Sequence, residues 1–371
     1  MARRIGLLTG GGDCPGLNAV IWAAVRTLHQ SGVEVVGIEE GFEGLVGGGH
    51  TRQLDPVVVR HIYSQGGTIL GTTNRGDPFH LTRKVDGREV VEDCADEVVA
   101  HMTRLGLDGV MAIGGDGTLA IAHHLVGRGA RIIGVPKTID NDLAATDTTF
   151  GFYTAVEVAM DALDRLKTTG ESHDRVMILE VMGRDAGWIA LHSGLTGGAH
   201  AILVPEIPYT LDSVLGRIRA RWEEEGRNFT LIVVAEGAFP KGGDAATVEQ
   251  ATAGRLRRLG GAGRALEAAL NEAFRDNWPD RPGGAPEVRT TVLGHIQRGG
   301  SPCAYDRLIS LRFGAEAAHL ALQGQWNRMV CLRGTEVQSV PLADALAKPH
   351  RVDPLGQLVR HARSVGVCLG D

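Results

Sequence analysis

No run of apolar residues in this 371-residue chain approaches the roughly 18 that a membrane-spanning helix needs, which excludes that class. The amino terminus, MARRIGLLTGGGD, carries two arginines, but its apolar stretch before the glycines is too short for the core of a secretion signal. Lys and Arg number 38 against 44 Asp and Glu, a net charge of -6, and the cations are scattered, so neither nucleic acid nor a membrane surface is the expected partner. The five cysteines (Cys14, Cys94, Cys303, Cys331, Cys368) are far apart and form no C-x-x-C pair, which leaves no readable zinc site or disulfide frame. Together these absences favour a protein of the reducing cytoplasm that handles small soluble molecules. There is also no Pro/Ser-rich linker, no solenoid-type repeat and no low-complexity tract.

Glycine, by contrast, is plentiful, with 52 residues against an ordinary share of about 7%. The length suits one large domain or two intimately packed ones. Short apolar runs alternate with helix-length periodic segments: IGLLT, then 17–30; GVMAI, then 118–126; RIIGV, then 152–167; VMILEV, then 186–195; AILVP, then 211–225; TLIVVAE. Such βα alternation builds mostly parallel sheets covered on both faces, and predicts an α/β, doubly wound fold. In the segment 248–277, Leu266, Leu270 and Phe274 recur every four residues, as one apolar helix face would; it is read as a helical insertion decorating the fold.

Ligands of such sheets bind beyond the carboxyl ends of the strands. After the first run comes TGGGDCPGLN, whose glycines let backbone N–H groups approach an anion ahead of a helix N-terminus. It lacks the G-K-[ST] ending of a Walker loop. After the second comes AIGGDGTL, where Asp116, a carboxylate in a phosphate cradle, calls for a hard cation between them and is a candidate Mg²⁺ ligand, or else a helix cap. The third turn, GVPKTIDND, holds Lys137, Asp140 and Asp142 within six residues.

GGDCPGLN, GGDGT, PKTIDND, MGRDAGWIA and GHIQRGGSP, in this order from about Ile5 to Arg312, resemble the 6-phosphofructokinases. NAD and lipid kinases share the second string but not the last three. The resemblance implies two doubly wound domains with the active site between them: residues 1–151 plus about 299–347 for the phosphoryl donor, and about 152–298 plus 348–371 for the sugar phosphate. It implies Asp140 as the base for the sugar 1-hydroxyl, Thr138 positioning the transferred group, Arg184 neutralising its charge, and Asp142 serving the metal network or orienting Asp140. Arg175, Met182, Gly183, Glu236, Arg289, His295 and Arg298 match the residues that hold fructose 6-phosphate. Gly11, Arg75, Gly115, Gly117 and Thr118 match those around the donor. In the family the counterparts of Arg175 and Arg289 reach in from a neighbouring subunit, which implies a homo-oligomer, dimer or tetramer, with Mg²⁺ and ATP as cofactor and co-substrate.

Two positions disagree about the donor. Gly117 is typical of members that use ATP, whereas Lys137 is typical of those that use pyrophosphate. An aspartate at 117 would fill and charge the space of a nucleotide α-phosphate, so glycine there is the stronger determinant. Ile121 stands where a glycine commonly lies under the adenine. A pyrophosphate-dependent enzyme, a kinase for another sugar or polyol phosphate, and a silent binder of the same fold are the alternatives; the intact Asp140, Arg184 and Asp116 speak against the last. Trp22 beside a retained Arg26, Pro56 and His200 depart from the family's allosteric pattern and predict weak control by phosphoenolpyruvate and ADP.

Overall fold

A computed structural model describes residues 3–47, 49–73, 76–85, 88–223, 225–226, 229–249, 258–278 and 284–371. The chain forms two units, one of residues Met1–Ile139, Leu143–Thr154 and Arg298–Pro349, the other of Asp140–Asp142, Ala155–Gln297 and His350–Asp371. In chain order the first unit contains β1 (Arg4–Thr9), α1 (Leu17–Gln30), β2 (Glu34–Ile38), β3 (Thr51–Leu54), the hairpin β4 (Leu81–Val85) and β5 (Arg88–Glu92), α2 (Ala95–Arg104), β6 (Gly109–Gly114), α3 (Asp116–Gly127) and β7 (Ile132–Pro136). The chain crosses to the second unit within the first turn of α4 (Phe152–Ser172) and continues through β8 (Val176–Val181), α5 (Trp188–Thr196), β9 (Ala201–Leu203), α6 (Leu211–Glu223), β10 (Thr230–Ala235), β11 (Thr247–Glu249), β12 (Arg258–Leu259), α7 (Ala262–Asn277) and β13 (Val288–Val292). It returns with α8 (Ala304–Gln323), β14 (Arg328–Arg333) and β15 (Glu336–Pro341), and α9 (Gln357–Ser364) belongs to the second unit.

The first unit's seven-stranded sheet runs β15-β14-β7-β6-β1-β2-β3, parallel except at its two edges. Its central strands are buried along nearly their whole length because helices cover both faces, so they read as continuous apolar runs and not as alternating ones. From β1 the chain adds β2 on one side and then β6 on the other, which puts the topological switch point between β1 and β6. The turns after those two strands are the glycine turns TGGGD and GGDGT.

The second unit's sheet, β13-β8-β10-β9, is wholly parallel. Helix α7 belongs to its core: Ala262, Leu266, Leu270 and Phe274 pack with Val176, Ile178, Ile232, Val234 and Val288. The helix read within the segment 248–277 thus packs into the core of this unit. Among its described residues the segment is helical from Ala262, that helix supplies one covering layer of the sheet, and residues 250–257 lie outside those described. Glu180, buried near the carboxyl end of β8, fixes this helix: its carboxylate accepts from Gly261 N at 2.9 Å and Gly263 N at 2.8 Å, at the start of α7.

Candidate active site

The two glycine turns of the first unit interlock through Thr118. Gly10 N–H donates to Ile113 O at 2.9 Å. A Cβ on Gly10 would lie 2.7 Å from Thr118 Oγ1, and one on Gly114 would overlap the same side chain. Thr118 is accordingly buried, a packing residue beneath the turns. Gly11, at φ +76, turns the chain, with its N–H given to Thr73 O at 3.1 Å and its carbonyl accepting from Thr72 Oγ1 at 2.5 Å. Arg75 lies outside the described residues.

Helix α3 begins two residues before the expected Thr118, with Gly115 as its N-cap and Asp116 as its first residue. Asp116 is exposed, and its Oδ1 accepts from Gly117 N at 2.7 Å. Gly117 is equally exposed. A Cβ there would meet nothing within 4 Å, and its φ is one any residue adopts, so neither packing nor backbone conformation asks for glycine. Ile121 packs its half-buried side chain against the unit's own core.

Lys137 leaves β7 pointing inward. It is 4% exposed, and its Nζ donates to Gly12 O at 2.5 Å. Burial lowers its pKa from the ordinary lysine value, only partly offset by the nearby Cys14, Asp116 and Asp13. Burial likewise pushes the Cys14 thiol up to about 12. A second cation holds the next carbonyl of the same turn, since Arg298 Nη1 donates to Asp13 O at 3.1 Å. The Arg298 guanidinium also lies where a side chain on Gly12 would go. Thr138 follows Lys137, and its carbonyl accepts from Thr149 Oγ1 at 2.7 Å.

Asp140, Asn141 and Asp142 belong to the second unit. Asn141 is held at φ +54, the left-handed region, so the backbone turns sharply between the two half-buried aspartates. His350 secures this turn: its N–H donates to Asp142 O at 2.8 Å, and its Nδ1 bonds Asn141 O at 3.0 Å.

The remaining loops of this unit follow the carboxyl ends of β8, β10 and β13. After β8, Met182 N–H donates to the side-chain oxygen of Gln297 at 2.7 Å, and Gly183 adopts φ +133. Arg184 is about a third exposed and lies 3.3 Å from the Asp185 carboxylate. After β10, Glu236 N–H donates to Val181 O at 2.9 Å and Gly237 N–H to Gly183 O at 3.1 Å. A side chain on Gly237 would overlap the Arg184 carbonyl, so the two loops close on each other only because that residue is glycine. His295 is exposed after β13, two residues before Gln297, which is fully buried.

Arg175 and Arg289 stand apart from these loops. Both lie at the amino-terminal ends of their strands, Arg175 just before β8 and Arg289 paired with Met177, and both grip Glu287. Arg175 Nε is 2.5 Å from that carboxylate. Across the six residues of β8, at about 3.3 Å each, roughly 20 Å separates Arg175 from Met182. The structure thus gathers Met182, Gly183, Arg184 and Glu236 at one end of the sheet and puts Arg175 and Arg289 at the other.

Four residues that sequence reasoning passed over support the site. Gln297 and Glu180 have been described, as has His350. The fourth, Glu206, accepts from Gly187 N at 3.0 and 3.1 Å and from Val352 N at 2.8 Å, and burial raises its pKa despite those bonds. Gln297 and Glu180 sat in plain view, one inside the string HIQRGG and the other as the single acid in VMILEV, but nothing local announces a buried acceptor.

The phosphofructokinase family model matches residues 4–321 of the chain. An ATP-dependent 6-phosphofructokinase of Chloroflexus aurantiacus is 48% identical over 369 residues, 100% of this chain and 98% of its own length. A pyrophosphate–fructose 6-phosphate 1-phosphotransferase of Amycolatopsis methanolica is 47% identical over 95% of this chain and 96% of its own. Among solved structures, Pichia pastoris phosphofructokinase in the T-state superposes with a TM-score of 0.76 at 29% identity, over 94% of this chain and 36% of that much longer one. The order of elements, the glycine turns at the switch point and these matches lead to one assignment: the chain belongs to the phosphofructokinase family.

Proposed function

We infer that the chain transfers the terminal phosphoryl group of ATP to the 1-hydroxyl of fructose 6-phosphate, giving fructose 1,6-bisphosphate and ADP, in the reducing cytoplasm. The full-length likeness to ATP-dependent 6-phosphofructokinases supports the reaction. The observation that carries the choice of donor is Gly117. The fold has no use for a glycine there, so its missing side chain serves a ligand longer than pyrophosphate. The amine of Lys137, spent on Gly12 O, supports the same choice, because it is tied to the turn instead of facing a phosphate.

In this reading Asp140 accepts the proton of the 1-hydroxyl as that oxygen bonds the terminal phosphorus, the bond to the ADP oxygen breaks, and the proton leaves Asp140 for solvent. Thr138 positions the transferred group, Arg184 offsets the charge on its oxygens, and Asp142 orients Asp140. Met182, Gly183 and Glu236 line the sugar, and His295 and Arg298 meet its 6-phosphate. Gly11, Gly115 and Arg75 frame the donor phosphates.

Among the described residues no three His, Cys, Asp or Glu side chains come together as a metal cage. One exposed carboxylate at the glycine turn, Asp116, fits a Mg²⁺ that arrives on the donor's phosphates and keeps several waters. Asp116 would hold it there, and the ion would neutralise charge on the phosphate oxygens.

Arg175 and Arg289, about 20 Å from Met182 along the strands, cannot serve their own sugar loops. They support a homo-oligomer in which each chain lends these arginines to its neighbour. Control by phosphoenolpyruvate and ADP is weak: the His200 ring is committed to Leu231 N at 2.8 Å, and Trp22 packs on Tyr63.

A coupled assay on fructose 6-phosphate, with ATP and pyrophosphate compared at equal Mg²⁺, tests the reading. ATP is expected to turn over at least tenfold faster; turnover with pyrophosphate alone would overturn the donor assignment.

A further inference from the structure

His350 lies beyond the matched family residues, yet it joins two loops on which the proposed chemistry depends. Its backbone N–H and its ring reach two successive carbonyls, Asp142 O at 2.8 Å and Asn141 O at 3.0 Å. A carbonyl only accepts, so the ring carries its hydrogen on Nδ1. Its own carbonyl accepts from Trp188 Nε1 at 3.0 Å, and the two rings lie 4.7 Å apart at 30°. Two residues on, Val352 N–H donates to Glu206, whose carboxylate also takes the N–H of Gly187, the N-cap of α5. Arg184 is three residues before Gly187. The segment 350–352 is thus bonded on one side to the turn after Asp140 and on the other to the end of the Arg184 loop.

We propose that His350 is a positioning residue for phosphoryl transfer: its two donors pin the peptide groups that follow Asp140 and so aim that carboxylate. The proposal rests on the reading of Asp140 as base. The pinned residue Asn141, at φ +54, lies in the left-handed region that asparagine tolerates better than most non-glycine residues, and the two bonds from His350 hold the turn there. A shift of about 1 Å in a catalytic group costs on the order of a hundredfold in rate. The effect of His350 therefore falls on kcat and not on substrate affinity.

The test uses the full-length enzyme. His350→Phe keeps the backbone N–H and an aromatic face for Trp188 but removes the Nδ1 donor; His350→Asn restores an amide donor near the Nδ1 position. The expected result for His350→Phe is a kcat about 10- to 100-fold lower, with both KM values within about threefold and an unchanged melting temperature. His350→Asn should recover most of that loss. In an Asp140→Asn background, adding His350→Phe should lower the residual kcat by less than about threefold, because the group being aimed is gone. Should the Phe variant fail to fold, His350→Asn against His350→Gln carries the same comparison, since only the shorter amide reaches the Nδ1 position. A His350→Phe kcat within threefold of wild type, no rescue by Asn, or an undiminished loss in the Asp140→Asn background overturns the role of His350 alone. Full turnover by the single Asp140→Asn variant overturns the base assignment instead, and this role with it.

Discussion

The two units hold their loops in opposite ways. In the first, cations grip carbonyls: Lys137 takes Gly12 O and Arg298 takes Asp13 O. In the second, most of the tethers described are acceptors that grip amides: Glu180 takes Gly261 and Gly263, Glu206 takes Gly187 and Val352, and the His200 ring takes Leu231, whereas His350 is an exception that donates to two carbonyls. A trans peptide points its N–H away from its C=O. A turn tethered by its carbonyls therefore presents N–H groups on its opposite edge, as a phosphate binder must. A loop tethered by its amides fixes the backbone while leaving side chains such as Arg184, about a third exposed, available to the sugar phosphate of the proposed reaction.

The largest effect that would test this contrast is expected at Glu180. Replacing it with Ala leaves two buried N–H groups at the head of α7 without their acceptor and should cost about 3 kcal/mol. Urea unfolding monitored at Trp278 reads the loss, and the KM for ATP should stay within twofold in the folded fraction. An unchanged unfolding midpoint would mean that the helix start does not depend on this carboxylate.

Lys137→Met comes next. It frees the Gly12 carbonyl and should raise the KM for ATP about tenfold, or ~1.4 kcal/mol, while the KM for fructose 6-phosphate hardly moves. An increase confined to the sugar phosphate would break the division between the units.

The smallest effect belongs to His200, the one titratable imidazole among these amide-gripping acceptors. Burial, with Arg221, Arg217 and Lys167 nearby, lowers its pKa from 6.5 to about 3. Between those values the unfolded chain binds the proton and the folded chain does not, so stability falls as pH falls from about 6.5 towards 3. Between pH 7 and pH 5.5 the loss should be about 1.3 kcal/mol, and His200→Asn, which keeps an acceptor but does not titrate, should flatten that part of the curve. A slope identical to wild type would assign the acid sensitivity to other groups.

Much of this was legible in the chain itself. Buried parallel strands announce themselves as VMILEV or TLIVVA, and the glycine turns GGGD and GGDGT after strands of the other sheet mark its topological switch point. Strand β13, VRTTV, did not show, because as an edge strand it is buried only at Val288 and has no apolar run. The face of α7 was visible in Leu266, Leu270 and Phe274, but its place in the core was not, since helical period says nothing about which sheet lies beneath. The inward course of Lys137 was hidden too: PKTIDND gives a cation at a strand end, and only the packed structure gives its direction. Glu206 and Gln297 as acceptors, and His350 as a donor, bond residues remote in sequence, which no local pattern encodes.

Gly117 has a consequence for history as well as for chemistry. Glycine and aspartate codons are one base apart, and a side chain at this position would touch nothing within 4 Å. Packing therefore places no demand on it, and in the proposed reading, where this position sets the phosphoryl donor, a change of donor asks for no compensating change in the core. Relatives named for either donor, ATP at 48% identity and pyrophosphate at 47%, stand at nearly the same distance from this chain.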